Sequence, residues 1–274
     1  MKVKLWNKKL WKEYYAVLSV ISVIASFVFL FIDIPDKSKL CCLIAFFIML
    51  VIAFLVMWRR ANELKKVSLK INNSTLEIET GDIFSEKGFK IIAFNEYFDT
   101  QVDDVLISKN TLNGNYITHY YSCSADLDTI IDSDAHSKEC IIDTCQRNIG
   151  KTKRYKLGTI IRNGEFFLLA FTHFDKNNRA FLEINDYTAC LMNMWNECDI
   201  HYGGNTVVLP LLGSGITRFH GYENITDQEL LEIMIWTFKV SRIRFQYPAK
   251  AKIVLTDRCL DKISLYDVKK RFDS

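Results

Sequence analysis

The sequence predicts an α/β protein: an N-terminal transmembrane helical hairpin, then one domain built on a mixed sheet flanked by helices on both faces. Two runs of nineteen residues without a charge, 14–32 and 40–58, predict the hairpin. From Val67 onward, short apolar strands alternate with amphipathic helices, which predicts the layered domain.

Each apolar run, as a helix rising 1.5 Å per residue, reaches about 28 Å, the thickness of a bilayer's hydrocarbon core. The seven residues between them hold Pro35 and the charges Asp33, Asp36, Lys37 and Lys39, enough for a tight turn. A buried soluble helix pair would rarely show two such runs side by side. A cleaved signal peptide would have a shorter apolar core and a small-residue cleavage pattern, which is missing. Lys2, Lys4, Lys8, Lys9 and Lys12 precede the first run, and Arg59, Arg60, Lys65 and Lys66 follow the second. The loop charges cancel, so both termini are expected on the cytoplasmic side. Trp6, Trp11, Tyr14, Tyr15 and Trp58 fall where an interfacial aromatic belt belongs. Ser19, Ser22 and Ser26 share a helix face with Ala25, which fits contact either with the second span or with another copy in a homo-oligomer. Neither span carries a charged residue, so a selective ion channel is not indicated.

Residues 67–71 and 76–80 alternate apolar and polar positions around Asn72, Asn73, Ser74 and Thr75, which predicts a hairpin. Residues 89–94 form a short buried strand. Strands 155–161 and 166–172 flank Arg162-Asn163-Gly164-Glu165, whose Asn-Gly marks a second hairpin. Residues 179–200 read as a helix with Phe181, Leu182, Ile184, Leu191, Met194 and Trp195 on its apolar side. Residues 206–209 are a continuous apolar strand. Thr226 and Glu229 form a capping box opening a helix to about Arg244. A strand over 251–256 and a helix over 264–272 end the domain.

The stretch from Leu209 through Leu212, Gly213, Ser214, Gly215, Ile216, Thr217 and Arg218 to Phe219 carries most information. An apolar strand enters a loop with two glycines one residue apart. Such a turn lets backbone N–H groups converge on an anion, although an isolated Gly-x-Gly also serves as an ordinary tight turn. No Gly-Lys-Ser/Thr follows and the third Rossmann glycine is missing, so neither a Walker loop nor a dinucleotide fingerprint is present. Earlier, one strand ends in Gly81-Asp82-Ile83, and the next ends at Asn95, followed by Glu96-Tyr97-Phe98-Asp99-Thr100.

A strand ending in Gly-Asp-Ile, a strand ending in Asn and a late Leu-Leu-Gly-Ser-Gly-Ile loop together resemble a macro domain, the ADP-ribose-binding α/β fold. The resemblance implies that Asp82 accepts from the adenine amino group, helped by the backbone of Ile83. It places Asn95 at the distal ribose and the loop from Leu212 and Gly213 to Phe219 around the diphosphate. Asp99 then lies in a segment that positions the ligand or caps a helix, a more economical reading than a metal for Asp99, Asp103 and Asp104. Where many macro domains carry Asn-Ala-Ala-Asn, this chain has Ile92-Ala93-Phe94-Asn95, and the Gly-rich run that follows is replaced by residues 99–108. Residues associated with de-ADP-ribosylation therefore have no counterpart. This favours a binding module with no catalytic residue over the alternative, a membrane-tethered ADP-ribosyl hydrolase.

Two membrane helices followed at once by a divergent macro domain are similar to the membrane-anchored effectors of type II Thoeris antiphage systems. The resemblance covers nearly the whole chain. It implies a partner TIR-domain enzyme that makes an ADP-ribose-derived signal, for this type histidine-linked ADP-ribose. It further implies oligomerisation at a bacterial inner membrane, contact with membrane lipid, and growth arrest or cell death. The division expected is residues 1–66 as anchor and 67–274 as cytoplasmic sensor.

Charge agrees with that division. Residues 1–66 carry eleven Lys/Arg and four Asp/Glu, and the remainder carries 24 and 28. The net +3 thus describes neither part, and no nucleic-acid partner is indicated. Of the eight cysteines none forms a C-x-x-C pair. Cys198 and His201 share a helix face without a second ligand pair, so no metal is expected, and no cofactor beyond the ligand itself. His119, His136, His173, His201 and His220 show no catalytic pairing; His173, at a strand end, either lines the ligand cleft or sits on the surface. The sequons at Asn72, Asn73 and Asn224 are chance matches in a cytoplasmic domain.

Overall fold

The computed structural model describes residues 3–32, 35–246 and 248–272. Lys2 and Asp33 of the expected flank and turn lie outside them. Helix α1 (Lys8–Phe29) begins six residues before the expected span because the Asn7 side chain accepts from the backbone N–H of Lys9 and Leu10. Helix α2 (Asp36–Asn62) continues past the apolar run into Arg59 and Arg60 of its last turn. Both are long and apolar enough to cross a membrane, and almost none of their apolar surface is covered by the rest of the chain. Ser19, Ser22 and Ser26 are exposed rather than turned toward α2. Ser19 and Ser26 donate to carbonyls of their own helix, so contact with the second span is not what occupies this stripe.

Strands β1 (Lys66–Ile71) and β2 (Ser74–Thr80) are joined by Asn72 and Asn73 alone, with φ of 51° and 64°. A two-residue turn of this kind needs positive φ twice, which Asn tolerates. Ser74 and Thr75 therefore belong to β2, not to the loop. After a 3-10 turn, Ile83–Ser85, come β3 (Phe89–Asn95), α3 (Leu112–Tyr120), α4 (Ser124–Ser133) and α5 (Ala135–Glu139). The small hairpin β4 (Ile141–Thr144) and β5 (Lys153–Tyr155) stands apart from the main sheet. Tyr155 belongs to it, and the expected strand 155–161 shrinks to β6 (Ile160–Asn163). The hairpin from β6 to β7 (Phe166–Phe174) turns at Gly164, as its Asn-Gly predicts.

Residues 180–183 are not helical. They form β8 (Ala180–Glu183), which pairs with the end of β7, and only then does α6 (Ile184–His201) start. Pairing at a sheet edge has overridden the apolar spacing of Phe181 and Leu182 that reads as helix. The remaining elements are β9 (Val207–Pro210), β10 (Arg218–His220), α7 (Asp227–Val240), β11 (Ala251–Leu255), α8 (Asp257–Leu260) and α9 (Leu265–Phe272). The capping box of Thr226 and Glu229 is formed. Helix α7 stops four residues short of Arg244, where Ser241 turns extended at ψ 163°.

Among the described residues the main sheet has nine strands, in the order β1-β2-β11-β9-β3-β7-β8-β10, with β6 also on β7. β2, β11, β9, β3 and β7 run parallel, so their carboxyl ends share one edge. Alternate residues of each strand feed two cores. Ile91, Phe167, Leu169 and Phe171 pack with α6, α7 and α9. Ile92, Phe94, Leu168 and Ala170 pack with α3 and α4. The sheet is mixed and carries helices on both faces, as the sequence predicts.

The hairpin is docked on α9. Tyr266 donates to Glu13 Oε2 at 2.6 Å, Asn7 Nδ2 to Asp267 Oδ1 at 2.9 Å, and Lys270 pairs with Glu13. Val3, Leu10, Ala61 and Tyr266 bury a small apolar cluster beneath these contacts.

Candidate functional site

In open α/β sheets, ligands bind beyond the carboxyl ends of the strands. Here that edge carries Gly81-Asp82-Ile83 after β2, Thr256 after β11, residues 211–217 after β9 and Asn95–Thr100 after β3. The local chemistry of each follows from its residues.

The β9 loop is the most elaborately held. Leu211 and Leu212 are buried, and the buried Tyr187 of α6 donates to the Leu212 carbonyl at 3.0 Å. Gly213 has φ +88°, and a Cβ there would lie 3.0 Å from Cζ of Phe219. Glycine is needed for the backbone and for the ring behind it. Ser214 Oγ donates to Leu211 O at 2.8 Å, closing the turn. Gly215 and Ile216 are exposed at its tip. The loop then returns to the sheet: Arg218 and Phe219, in β10, pair in parallel with Phe181 and Leu182 of β8. Gly213, Ser214, Gly215, Thr217, Arg218 and Phe219 wall an open cleft of about 370 Å³ that also meets the start of α7. A helix N-terminus and a Gly turn on one cleft suit an anion, against which the Glu223 and Asp227 side chains in the same lining work.

Asp82 and Ile83 lie on the same edge, two strands away. The exposed Asp82 caps the 3-10 turn, accepting from Phe84 N at 3.1 Å and Ser85 Oγ at 3.2 Å. Ile83 is buried against Val208 and Val254. Asp82, Ile83, Asn95 and Asp99 do not line the loop cleft.

Asn95 and Asp99 are buried together. Asn95 Nδ2 donates to Asp99 Oδ2 at 2.9 Å, while Asn95 Oδ1 accepts from the backbone of Tyr97 and Asp99. The Asp99 carboxylate also accepts from Arg147 at 2.9 Å and from Lys151 N at 2.7 Å. Arg147 stacks 3.9 Å over the Tyr97 ring. Asp103 accepts from the N–H groups of Val105 and Leu106, and Asp104 from that of Lys109, so both shape their loop.

A second polar group beside Asn95 escaped the sequence reading. Glu96 is 3% exposed; its Oε2 lies 2.7 Å from His173 Nδ1 and 2.7 Å from Arg154 Nε. His173 Nε2 is 3.4 Å from Asp186. Burial works to raise the Glu96 pKa, but bonding to His173 and Arg154 outweighs it and the net shift is downward. Burial works to lower the His173 pKa, yet the Glu96 hydrogen bond and charge, with Asp186, leave it raised. These side chains, with Tyr97, Phe174 and Phe181, line a recess of about 290 Å³. Phe181 stacks on His220 with ring centroids 4.7 Å apart, so one aromatic pair separates this recess from the loop cleft. His173 at a strand end was the only sequence signal for it.

All eight cysteines are free. Cys198 is fully buried and burial pushes its thiol up, while the side chains that gather at His201 are His136 and Glu197.

Residues 76–256 match the family described as Thoeris protein ThsA, Macro domain. The chain is 42% identical over 264 residues, 92% of its length and 87% of the relative's, to Thoeris protein ThsA of Bacillus amyloliquefaciens (strain Y2). Among solved structures it is similar to the Oceanobacillus iheyensis macrodomain with ADP, at 14% identity and TM-score 0.47, covering 76% of this chain and 95% of that one. The same macrodomain with MES bound gives 15% identity, coverage of 76% and 96%, and TM-score 0.47. With two thirds of its length matched by the family model and a relative at this identity, the chain belongs to the Thoeris ThsA family and carries that family's macro domain.

Proposed function

We propose that this chain is the membrane-anchored effector of a Thoeris antiphage system, and that its macro domain senses an ADP-ribose derivative at the carboxyl edge of the sheet. The signal is histidine-linked ADP-ribose, made from NAD by a partner TIR-domain enzyme. The observation that carries the reading is the loop of Gly213 to Phe219, held from below by Tyr187 and opening beside the start of α7. The 208 residues of the sensor are net acidic, so long-range attraction does not gather phosphates. Local backbone amides and the α7 dipole hold the diphosphate instead. The exposed Asp82 carboxylate accepts from the adenine amino group beside Ile83. Asn95 and Asp99 shape the floor under the distal ribose.

The buried state of Asn95 and Asp99 supports a binder rather than a hydrolase, since protein partners occupy their polar groups. A path from loop to membrane also supports an effector. Cys259 Sγ of α8 lies 3.8 Å from Ser214 Oγ, and α9 follows α8 and grips α1. Residues 1–66 anchor the chain in the bacterial inner membrane with both termini cytoplasmic, and 67–274 form the sensor. Ligand-bound copies assemble through the lipid-exposed hairpins and disrupt the membrane, ending growth or killing the cell. Shifting assembly from about 1% to 99% requires roughly 10⁴-fold tighter binding to the assembled state.

Calorimetric titration of the full chain in detergent with ADP-ribose, histidine-linked ADP-ribose and NAD tests the reading. Binding of an ADP-ribose derivative, lost in Gly213→Glu, is expected. No binding by any of the three overturns it. Release of free ADP-ribose from the bound derivative would establish the hydrolase instead.

A further inference from the structure

At the opposite end of α6 from Tyr187, three metal-ligating side chains converge. Tyr187 and His201 are fourteen helical residues apart, about 21 Å along the axis, so this cluster is separate from the ligand edge. Glu197 and His201 share one face of α6 at i and i+4, and His136 reaches them from α5. His136 Nε2 lies 2.6 Å from Glu197 Oε2, and His201 Nε2 lies 3.8 Å from the same oxygen. All three donor atoms fall within 4.8 Å of one another, the one such group among the described residues.

We infer that His136, Glu197 and His201 form a site for a divalent transition ion of the zinc class. Bonds of 2.0–2.2 Å in a tetrahedral site place donor atoms about 3.3–3.6 Å apart. The observed separations, 2.6 and 3.8 Å to the Glu197 oxygen, bracket that value. A plain His–Glu ion pair explains His136 and Glu197 but not His201. Its Nε2 is buried with no hydrogen-bond partner, a position that costs free energy unless something occupies the lone pair. Two imidazoles and one carboxylate suit zinc, and they leave a fourth position for water. His136 is the most exposed of the three at 36%, which gives an ion a way in from solvent. The ion ties the five-residue α5, whose own helical bonding is slight, to the last turn of α6. The Glu-x-x-x-His spacing on a helix is visible in the sequence; the third ligand, sixty-one residues earlier than Glu197, is not.

The test uses the full chain in detergent, stripped with a chelator and titrated with Zn²⁺ by calorimetry and with Co²⁺ by visible absorption. One ion per chain is expected, with d–d bands of a nitrogen–oxygen site, and His136→Ala and Glu197→Gln should each weaken uptake tenfold or more. Absence of stoichiometric uptake overturns the site. So does a thiolate-to-cobalt band, which would place the ion on cysteine, or uptake unchanged in both variants. Circular dichroism of the variants separates lost ligation from lost folding.

Discussion

Asn95 Nδ2 donates to Asp99 Oδ2 at 2.9 Å, and neither side chain is more than 4% exposed. The pair forms part of the floor of the sheet edge and depends on Arg147 above it. Removing one member of a buried ion pair costs about 3–5 kcal/mol, because the other charge stays buried without compensation. Arg147→Met is therefore expected to lower stability by that order, read as a fall in the thermal midpoint of the detergent-solubilised chain. Asn95→Ala should lose ligand affinity and stability together. Loss of affinity at unchanged stability would show direct contact with the ligand instead.

The Tyr187 hydroxyl reaches the Leu212 carbonyl from the core side of the loop. Tyr187→Phe keeps the ring against Phe219 but leaves a buried acceptor unpaired, at about 1–3 kcal/mol. Denaturation should show that loss, and titration with ADP-ribose derivatives should show weaker binding without abolition.

Gly213 and Gly215 separate two roles of glycine in one loop. Gly213→Ala meets a left-handed backbone, at about 1–2 kcal/mol, and the Phe219 ring at 3.0 Å. It should weaken binding at least tenfold. At Gly215 an added Cβ meets nothing within 4 Å, so Gly215→Ala should fold normally. A titration in which the two variants bind equally would sink the assignment of Gly213 as the strained position.

The Glu96–His173 pair sets a pH dependence. A histidine with a raised folded pKa contributes stability in full below its unfolded value, about pH 6.5, and loses it as pH climbs through the folded value. Glu96, lowered from 4.5, contributes above that pH and loses its share as acid takes the solution through its folded value. The thermal midpoint should decline as pH rises above 6.5, and His173→Gln should flatten that decline.

Glu13 accepts from Tyr266 and pairs with Lys270, joining α1 to α9. The double variant Glu13→Gln with Tyr266→Phe should still bind ligand, with its coupling to assembly weakened. Under the proposed function, growth arrest on signal production should weaken, read in cells that express a signal-producing TIR-domain enzyme. Equal toxicity of variant and parent would remove this contact from the path.

Much of this protein was legible in its residues because the signals are local. The two uncharged runs mark two helices of membrane length, although α1 ends at Phe29, three residues before its run does. The Asn-Gly turn reports its own backbone geometry, and Thr226 with Glu229 caps a helix within one turn; at Asn72 and Asn73 the hairpin was legible but its two-residue turn was not. The Gly-Asp-Ile, Asn95 and Gly213 motifs fall on strand ends because strand length and turn chemistry place them there. Tertiary structure alone decided what depends on partners distant in sequence. Residues 180–183 became a strand because an edge of β7 and the returning β10 were available to pair. Asn95 and Asp99 turned inward because Arg147 and Lys151, about fifty residues later, supply the bonds that make burying a carboxylate tolerable. His136, Glu197 and His201 met because α5 and α6 pack near one strand, β6, a relation that no spacing along the chain encodes.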